Sequence, residues 1–296
     1  MNAIPDADRR FSDQWLMLRE SADHLARDSQ LTHAADRWLS ARATPTRPLV
    51  TQRTIVDLGC GSGSNLRYLA PRLHGTQHWR LIDHDASLLA RARLRCEGLR
   101  SADARPVHLE TCEMDLDTAI RRGLEGTDLV TASALFDLLS PGWVEALASR
   151  CQAQGCAALF ALSIDGEIHF HDTTGTAVEN DDDRFAFAAL AAHQRRDKGQ
   201  GPALGSQAPN HLRQSFYRHG YRVREATTPW RLGPESLPLA EALLAGWHRA
   251  LHEQVPEQRE RVDRWHGARL DAVMRGRLTL TVGHRDLFAI PGGASA

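Results

Sequence analysis

The stretch Thr54-Ile-Val-Asp-Leu-Gly-Cys-Gly-Ser-Gly-Ser-Asn65 decides the fold of this chain. It begins with a short apolar run that is typical of a buried strand, and three glycines follow at alternate positions. Leucines then recur at helical spacing between Leu66 and Leu73. Together, a strand, a glycine turn and the start of a helix form a corner. Glycines let the backbone of such a corner come close to a ligand, where a side chain with a Cβ would clash. The stretch therefore predicts a nucleotide-binding corner between a strand and a helix.

Two classes of nucleotide cofactor fit such a corner. A dinucleotide fingerprint requires Gly-x-Gly-x-x-Gly, but its third glycine would stand at Ser64 and here comes one residue early. In addition, Asp57 precedes the first glycine by two residues. The pattern Asp-x-Gly-x-Gly-x-Gly after a strand resembles the first motif of the class I S-adenosylmethionine-dependent methyltransferases. The resemblance implies S-adenosyl-L-methionine as the cofactor and S-adenosyl-L-homocysteine as its product.

The resemblance also implies an α/β fold. The family has a Rossmann-like, seven-stranded, mostly parallel sheet with an antiparallel last strand and helices on both faces. Motifs carry the resemblance over about residues 50–165, and element order extends it to 206–232 and 278–290. The predicted parts are an N-terminal helical cap at 1–48, a methyltransferase domain at 49–291 with helical insertions at about 165–205 and 233–276, and a tail at 292–296.

An acidic residue follows the second predicted strand. Asp83 lies 24 residues after Gly59 (83 − 59), where a carboxylate can accept both ribose hydroxyls. Enzymes that bind NAD use the same device, so Asp83 indicates a nucleoside without choosing between cofactors. Asp85 is a second candidate for the ribose, and its alternative role is to cap the next helix.

Further cofactor contacts follow from the resemblance, residue by residue. The family often places an acidic or amide side chain past the third strand against the adenine amino group, with an apolar neighbour against the ring. Asp115 and Leu116 match that pattern, although Asp115 could simply cap a helix at 117–123. The predicted cofactor-binding residues are Asp57, Gly59, Cys60, Gly61, Asn65, Asp83, His84, Asp115, Leu116 and Ser133.

The residues after the fourth predicted strand resemble the family motif that lies beside the transferable methyl group. Ser133, Ala134, Phe136 and Asp137 are therefore expected to line the seam between cofactor and acceptor. Ordinary core packing is the alternative for Phe136. No Asn-Pro-Pro-Tyr-type motif, as amino-methylating enzymes for nucleobases or glutamine carry, stands at this place.

A hydroxyl acceptor usually requires a general base, and the first insertion supplies several candidates. His169, His171, Asp172 and His193 lie in it, and Asp137 could serve from the fourth motif. The sequence does not choose among them, and His171, His193 and Asp137 are the predicted catalytic residues. His169, His171 and Asp172 could also form half of a metal site, but polar residues on an exposed strand explain them better. We therefore predict no metal.

The first insertion also contains a glycine-rich loop, Lys198-Gly-Gln-Gly-Pro-Ala-Leu-Gly205. It does not match the Gly-x-x-x-x-Gly-Lys-Ser/Thr pattern of a phosphate-binding loop. With glycines as hinges and a helix before it, the segment could be a mobile lid over the acceptor, or a plain connector.

Composition excludes several classes of partner. The 296 residues are 42% hydrophobic and carry a formal net charge of −1, which gives no electrostatic reason to expect nucleic acid or an anionic membrane. No stretch approaches the ~20 apolar residues of a membrane span, and the N-terminus lacks a signal-type apolar core. Five cysteines without a Cys-x-x-Cys pair indicate reduced thiols. We expect a cytoplasmic protein.

These observations favour methyl transfer to a small-molecule acceptor by in-line displacement at the sulfonium. Two alternatives stay open at this point, a nicotinamide-dependent oxidoreductase and a methyltransferase-fold protein that binds without turnover. Ser64 and Asp57 count against the first alternative. The sequence leaves the acceptor undefined.

Overall fold

The apolar run before the glycines forms a central strand of a parallel sheet. Its residues Ile55, Val56 and Leu58 are fully buried, because helices cover both faces of the sheet. The structure is a computed structural model that describes residues 12–41, 52–197 and 201–293. The strands are β1 (Gln52–Leu58), β2 (Thr76–Asp83), β3 (Val107–Glu113), β4 (Leu129–Ser133), β5 (Ala157–His171), β6 (Ala177–Val178), β7 (Tyr221–Thr227), β8 (Trp230–Leu232) and β9 (Thr279–Pro291).

Most helices lie between successive strands, as in other doubly wound sheets. Two helices precede the sheet, and two more form a hairpin before its last strand. The helices are α1 (Asp13–Ala26), α2 (Ser29–Ala41), α3 (Ser64–Leu69), α4 (Ala86–Arg95), the single turn α5 (Leu116–Thr118), α6 (Pro141–Gln154), α7 (Asp181–Gln194), α8 (Ala208–Arg218), α9 (Leu237–Gln254) and α10 (Arg259–Met274).

The order of the main strands is β3-β2-β1-β4-β5-β9-β7. Strands β1 to β5 pair in parallel, whereas β9 is antiparallel to both β5 and β7. The predicted Rossmann-like sheet with an antiparallel last strand is confirmed. The strand order reverses between β1 and β4, and ligands bind beyond the carboxyl ends of strands at such a switch point.

The sheet differs from the prediction in its number of strands, because nine form it in the described residues instead of seven. The two additional strands are short: β6 pairs with β5, and β8 pairs with β9. Both pair with parts of β5 and β9 that extend past the parallel core of the sheet. Strand β5 continues past its parallel pairs with β4 to His171, opposite β9.

A third hydrophobic core lies beyond the sheet, in addition to the two cores that flank it. It joins α1, α7, α9 and α10 to the extended halves of β5 and β9, around Trp247 and Trp265. Both insertions therefore pack together, and α1 packs with them. In contrast, α2 packs through Leu31 and Leu39 against one face of the sheet. The two helices of the predicted cap thus have different neighbours. Residues 42–48 of that cap lie outside the described residues.

The insertion helix α7 is fixed at both ends. Asp183 is fully buried in its first turn and accepts hydrogen bonds from Trp265 (2.8 Å) and Arg269. Near its other end, Nε2 of His193 lies 3.0 Å from Oε2 of Glu253 on α9. These contacts make α7 a wall of the third core. The lid hypothesis stays a prediction, and residues 198–200 of its proposed hinge lie outside the described residues.

In the described ranges, no helix has both the length and the apolar character that a bilayer crossing requires.

Candidate active site

The glycine corner is a tight turn between β1 and α3. Gly59 and Gly61 adopt positive φ values of 59° and 52°, which strain any other residue. A Cβ at Gly59 would lie 3.0 Å from Cδ1 of Leu135, and one at Gly61 would lie 3.0 Å from Cδ1 of Leu16 on α1. The corner is therefore packed against the loop after β4 on one side and against α1 on another.

Asp57 is fully buried at the end of β1. Its Oδ1 accepts a hydrogen bond from Nδ2 of Asn65 (2.7 Å), whereas its Oδ2 is buried without a partner. Burial raises the pKa of this carboxyl to about 7; the Asn65 hydrogen bond and Arg27 oppose the shift, and Asp83 adds to it. An unpartnered carboxylate oxygen beside a glycine turn fits a ligand with a cationic or N–H donor group.

Asp83 connects the end of β2 to the glycine corner. Its Oδ2 accepts a hydrogen bond from the backbone N–H of Gly61 (2.8 Å), and its Oδ1 accepts one from the N–H of Asp85 (3.0 Å). The half-exposed ring of His84 lies beside it, with Nδ1 3.4 Å from Oδ1. Asp85 instead caps α4 by accepting from the N–H of Ser87 (2.8 Å). The capping role that the sequence leaves open for Asp85 is the one observed.

The different positions of these two carboxylates give a matched pair of variants. Asp83→Asn is expected to lower affinity for the cofactor tenfold or more, because charge-assisted hydrogen bonds of about 1.5–3 kcal/mol each would be lost. Asp85→Asn should leave affinity unchanged, since asparagine caps a helix as well as aspartate does. Calorimetric titration with S-adenosylhomocysteine measures both. A loss in Asp85→Asn alone would assign the ribose to Asp85.

Asp115 and Leu116 lie at the start of α5, on the same edge of the sheet. The N–H of Met114 donates to the carbonyl of Asp83 (3.0 Å), which ties the end of β3 to the end of β2. Asp115 is exposed and accepts hydrogen bonds from the N–H of Thr118 (2.6 Å) and its hydroxyl. It therefore caps α5, and its predicted contact with adenine stays a prediction.

A pocket of about 170 Å³ lies beyond the carboxyl end of β4 and against the middle of β5. Helices α1, α7 and α9 and strand β9 form its other walls. Most of its wall is apolar and much of it aromatic, including Trp15, Phe187, Trp230 and Trp247. Polar groups are few, and they belong to Arg19, Asp137, Glu167, His193, Gln194 and His284. An apolar cavity with a few convergent polar groups is typical of a small-molecule site.

The structure brings two of the three predicted catalytic residues to this pocket. Asp137 and His193 line it, whereas His171 does not. His171 lies near the far end of β5, where its Nε2 is 3.0 Å from the Thr281 hydroxyl. The register of β5 against β9 explains this result, because it pairs His171, the last residue of β5, with Thr279, the first residue of β9.

Of the residues predicted to line the seam between cofactor and acceptor, some line the pocket and others do not. Ser133 and Ala134 are partly buried at the end of β4, and Ala134 lines the pocket. Phe136 is fully buried and packs on Phe160, with ring centroids 4.5 Å apart. Its role is therefore the core packing that the sequence leaves open as the alternative.

The side chains of His169, His171 and Asp172 do not converge on one point. His169 lies 3.1 Å from Oε2 of Glu167, and Asp172 accepts hydrogen bonds within its own turn, one of them from the N–H of Thr174 (2.9 Å). His171 contacts Thr281 instead. Each of these side chains thus has a separate partner in the structure.

Sequence reasoning missed His284, which is buried in the pocket wall on β9. Its Nδ1 donates to the carbonyl of Val282 (3.0 Å), so the neutral ring presents Nε2 as an acceptor. Burial, followed by the charge of Arg19, lowers the pKa of His284 to about 3. A glycine inside a strand indicates close approach of another group, and Gly283 is the one signal in the sequence. A Cβ there would lie 2.1 Å from Oδ1 of Asp165.

The backbone is strained where the pocket meets the sheet. Ala134 and Leu162 both line the pocket and adopt φ values of 52° and 55°, which are uncommon for residues with a Cβ. Hydrogen bonds hold both conformations: the N–H of Ala134 donates to Ala161 (2.9 Å), and the N–H of Leu162 donates to Oδ1 of Asp286 (2.9 Å). Strain that the surroundings maintain is a common property of functional sites.

Comparison with known families gives one match, a family model described as a methyltransferase domain, over residues 56–156. This segment contains the glycine corner, Asp83 and the loop after β4. No curated protein sequence matches the chain significantly.

Solved structures of similar shape cover nearly the whole chain at low identity. The cyclopropane synthase MmaA2 from Mycobacterium tuberculosis is 14% identical over 94% of each chain, with a TM-score of 0.46. An S-adenosylmethionine-dependent methyltransferase from Geobacter sulfurreducens is 19% identical over 94% of this chain and 98% of its own (TM-score 0.43). One from Thiobacillus denitrificans is 17% identical over 95% and 99% (TM-score 0.44). Similarity at this level carries no conclusion about an acceptor.

Proposed function

We propose that this chain, whose residues 56–156 match a family model described as a methyltransferase domain, transfers a methyl group from S-adenosylmethionine to a small molecule with a largely apolar body. The observation that carries the proposal is the contact between corner and pocket. Leu135 packs against the turn at Gly59, and its neighbour Ala134 lines the pocket. A cofactor held in the corner and an acceptor held in the pocket would thus be separated by the loop after β4.

The cofactor supplies a sulfonium-activated methyl group, so the residues of the chain have to bind and orient it. Asp57 would accept from its cationic part through the unpartnered Oδ2, and Asp83 would accept from the ribose. Because Gly59 and Gly61 have no Cβ, the backbone of this turn could approach the cofactor closely. The remaining proposed contacts lie at the carboxyl ends of β1 to β4 or in the turns and helix starts that follow, and they are Cys60, Asn65, His84, Asp115, Leu116 and Ser133.

The pocket supports an acceptor with an aromatic or aliphatic body. Its aromatic walls, Trp15 and Trp247 among them, would exclude water from the reacting centre, which favours displacement at a sulfonium. Asp137 and His193 keep their proposed role as proton acceptors, and we do not assign one to His171. The neutral Nε2 of His284 is a fixed acceptor that could orient a hydroxyl or an N–H group of the acceptor.

We also propose a functional division of the chain. Within the proposed domain at 49–291, the proposed cofactor residues lie at the carboxyl ends of the parallel strands and in the turns and helix starts that follow them. The acceptor pocket is shared between that sheet and the third core. The insertions at about 165–205 and 233–276 would therefore set acceptor specificity together with α1, the first helix of the proposed cap at 1–48. The near-neutral charge of the chain favours a small molecule over nucleic acid.

Methyl transfer can be tested without knowing the acceptor. The protein is incubated with methyl-labelled S-adenosylmethionine and a metabolite extract, and the labelled product is identified by mass spectrometry. Ala191→Phe on α7 fills the pocket, so it should lower product formation at least tenfold while cofactor affinity is kept. Ala192→Phe is the matched control, because Ala192 is similarly half-buried but does not line the pocket.

Cofactor binding is measured separately by thermal shift. S-adenosylhomocysteine at a hundredfold excess over its dissociation constant should stabilise the fold by about 2.7 kcal/mol. A shift with NAD and none with S-adenosylhomocysteine would overturn the proposal. Equal product formation in Ala191→Phe and in the unmodified protein would exclude this pocket as the acceptor site.

A further inference from the structure

Three metal-ligand side chains converge on the hairpin of α9 and α10. His248 and His252 are one turn apart on α9 and therefore share a face. Their Nε2 atoms lie 2.5 Å and 2.8 Å from the same oxygen, Oδ1 of Asp263 on α10. One donor atom from each of the three residues lies within 4.8 Å of the other two. None of the three lines the acceptor pocket.

The surroundings of this cluster point to a ligand beyond the hydrogen bonds that it makes. The rings of His248 and His252 have centroids only 4.2 Å apart, so the two imidazoles stand side by side on α9. His266 stacks on the other side of His248, with centroids 4.3 Å apart, and its Nε2 is buried without a hydrogen-bond partner. A buried, unpartnered imidazole nitrogen next to this cluster is an independent sign of a missing partner.

We propose that His248, His252 and Asp263 bind one divalent transition-metal ion, with zinc as the best match. Two imidazole nitrogens and one carboxylate oxygen are a ligand set that zinc prefers, at about 2.0–2.2 Å. Such bond lengths place tetrahedral ligand atoms roughly 3.3 Å apart. The present hydrogen-bonded separations of 2.5 Å and 2.8 Å are shorter, so the side chains need only a small adjustment outwards.

The position of the cluster gives the ion a structural consequence. It would join α9 to α10 across their hairpin, and α9 carries Trp247 and Ala250 in the wall of the acceptor pocket. The ion would therefore fix this wall without contacting cofactor or acceptor. The proposal is independent of the proposed methyl transfer, because it rests on side chains outside that site.

The test uses the full-length, tag-free protein after chelation and dialysis, titrated with zinc chloride in a calorimeter. We expect one zinc ion per chain and a higher melting temperature with zinc. His252→Gln and Asp263→Asn should each weaken binding at least tenfold. The matched control is His169→Gln, which removes another surface histidine paired with a carboxylate and should leave zinc binding unchanged.

Three results would overturn the proposal. The first is zinc binding of equal affinity in His252→Gln and the unmodified protein, and the second is an equal loss in His169→Gln. The third is one zinc ion per two chains together with a doubled mass in light scattering, because that ion would bridge separate molecules. Circular dichroism of each variant shows that a loss of binding is not a loss of fold.

Discussion

Arg27→Met is expected to lower the free energy of unfolding by about 3–5 kcal/mol, because it removes one partner of a buried ion pair. The guanidinium lies in the interior just after α1. Its Nη1 donates to Oδ1 of Asn65 (2.8 Å), and its Nε lies 3.4 Å from Oδ2 of Asp286, with both side chains of this ion pair 2% exposed. The variant would leave a buried carboxylate without its cation. Burial already raises the pKa of Asp286, and Arg27 opposes that shift.

Arg72→Met is the matched control for this prediction. Arg27 and Arg72 both stack on the ring of Tyr68, at 4.5 Å and 4.0 Å from its centroid, but Arg72 is exposed. Its loss should cost at most about 1 kcal/mol, the usual value of an exposed cation–π contact. Urea unfolding followed by circular dichroism measures both variants. A similar loss in the two would show that stacking on Tyr68, and not the buried ion pair, accounts for the effect.

The same arginine links stability to the candidate cofactor site. Arg27 holds Asn65, and Asn65 donates to both Asp57 (2.7 Å) and the hydroxyl of Thr131 (3.1 Å). These bonds join α1, β1, α3 and β4 at the switch point of the sheet. The α1 region therefore contacts the glycine corner at two points. Arg27, just after the helix, holds Asn65, and Leu16 on the helix packs next to Gly61.

Local sequence patterns suffice to predict the parallel half of the fold. Periodicity and residues with special backbone preferences predict the strand, turn and helix at residues 54–73 and the end of β2 at Asp83. In this half each strand is followed by its own helix. The determining interactions are therefore close in sequence.

The antiparallel half could not be predicted in the same way. Strand β5 continues past residue 163 because it pairs with β9, more than 100 residues later, and bulges interrupt its alternation. Register against a distant strand decides which side chains face the pocket. For this reason sequence reasoning proposed His171, which lies at the far end of β5, and missed His284, which lies in the pocket wall.

The cluster on α9 and α10 was missed for a similar reason. His248 and His252 have the i, i+4 spacing of a helical metal site, but Asp263 joins them only through the packing of the hairpin. In a chain with 15 histidines, spacing alone does not distinguish this pair from the others.

Affinity for S-adenosylmethionine is expected to rise with pH by up to tenfold per unit below about pH 7 and then to level off. The physical reason is the pKa of Asp57, which burial raises to about 7. Below this value the neutral acid predominates, and it cannot pair with the cationic cofactor. Binding therefore requires release of a proton, so that apparent affinity falls as the pH is lowered.

Asp57→Asn should remove this dependence and, at pH 8, weaken binding about 10- to 150-fold, because a charge-assisted hydrogen bond of roughly 1.5–3 kcal/mol is lost. Thr131→Val is the matched control. It removes a neutral partner of the same Asn65 and leaves Asp57 in place, so it should lower affinity equally at every pH and keep the slope.

Calorimetric titrations between pH 5.5 and 8.5, in buffers of different ionisation enthalpy, count the protons released. The amino group of the cofactor titrates near pH 7.7–8.0, to judge from the usual range of an α-amino group. Titration of this amino group changes the affinity of every variant in the same way. The test therefore compares the pH dependence of Asp57→Asn with that of the unmodified protein. If Asp57→Asn keeps the slope of the unmodified protein below pH 7, the titrating group is not Asp57. The buried carboxyl would then stabilise the corner only through Asn65, without contacting the cofactor.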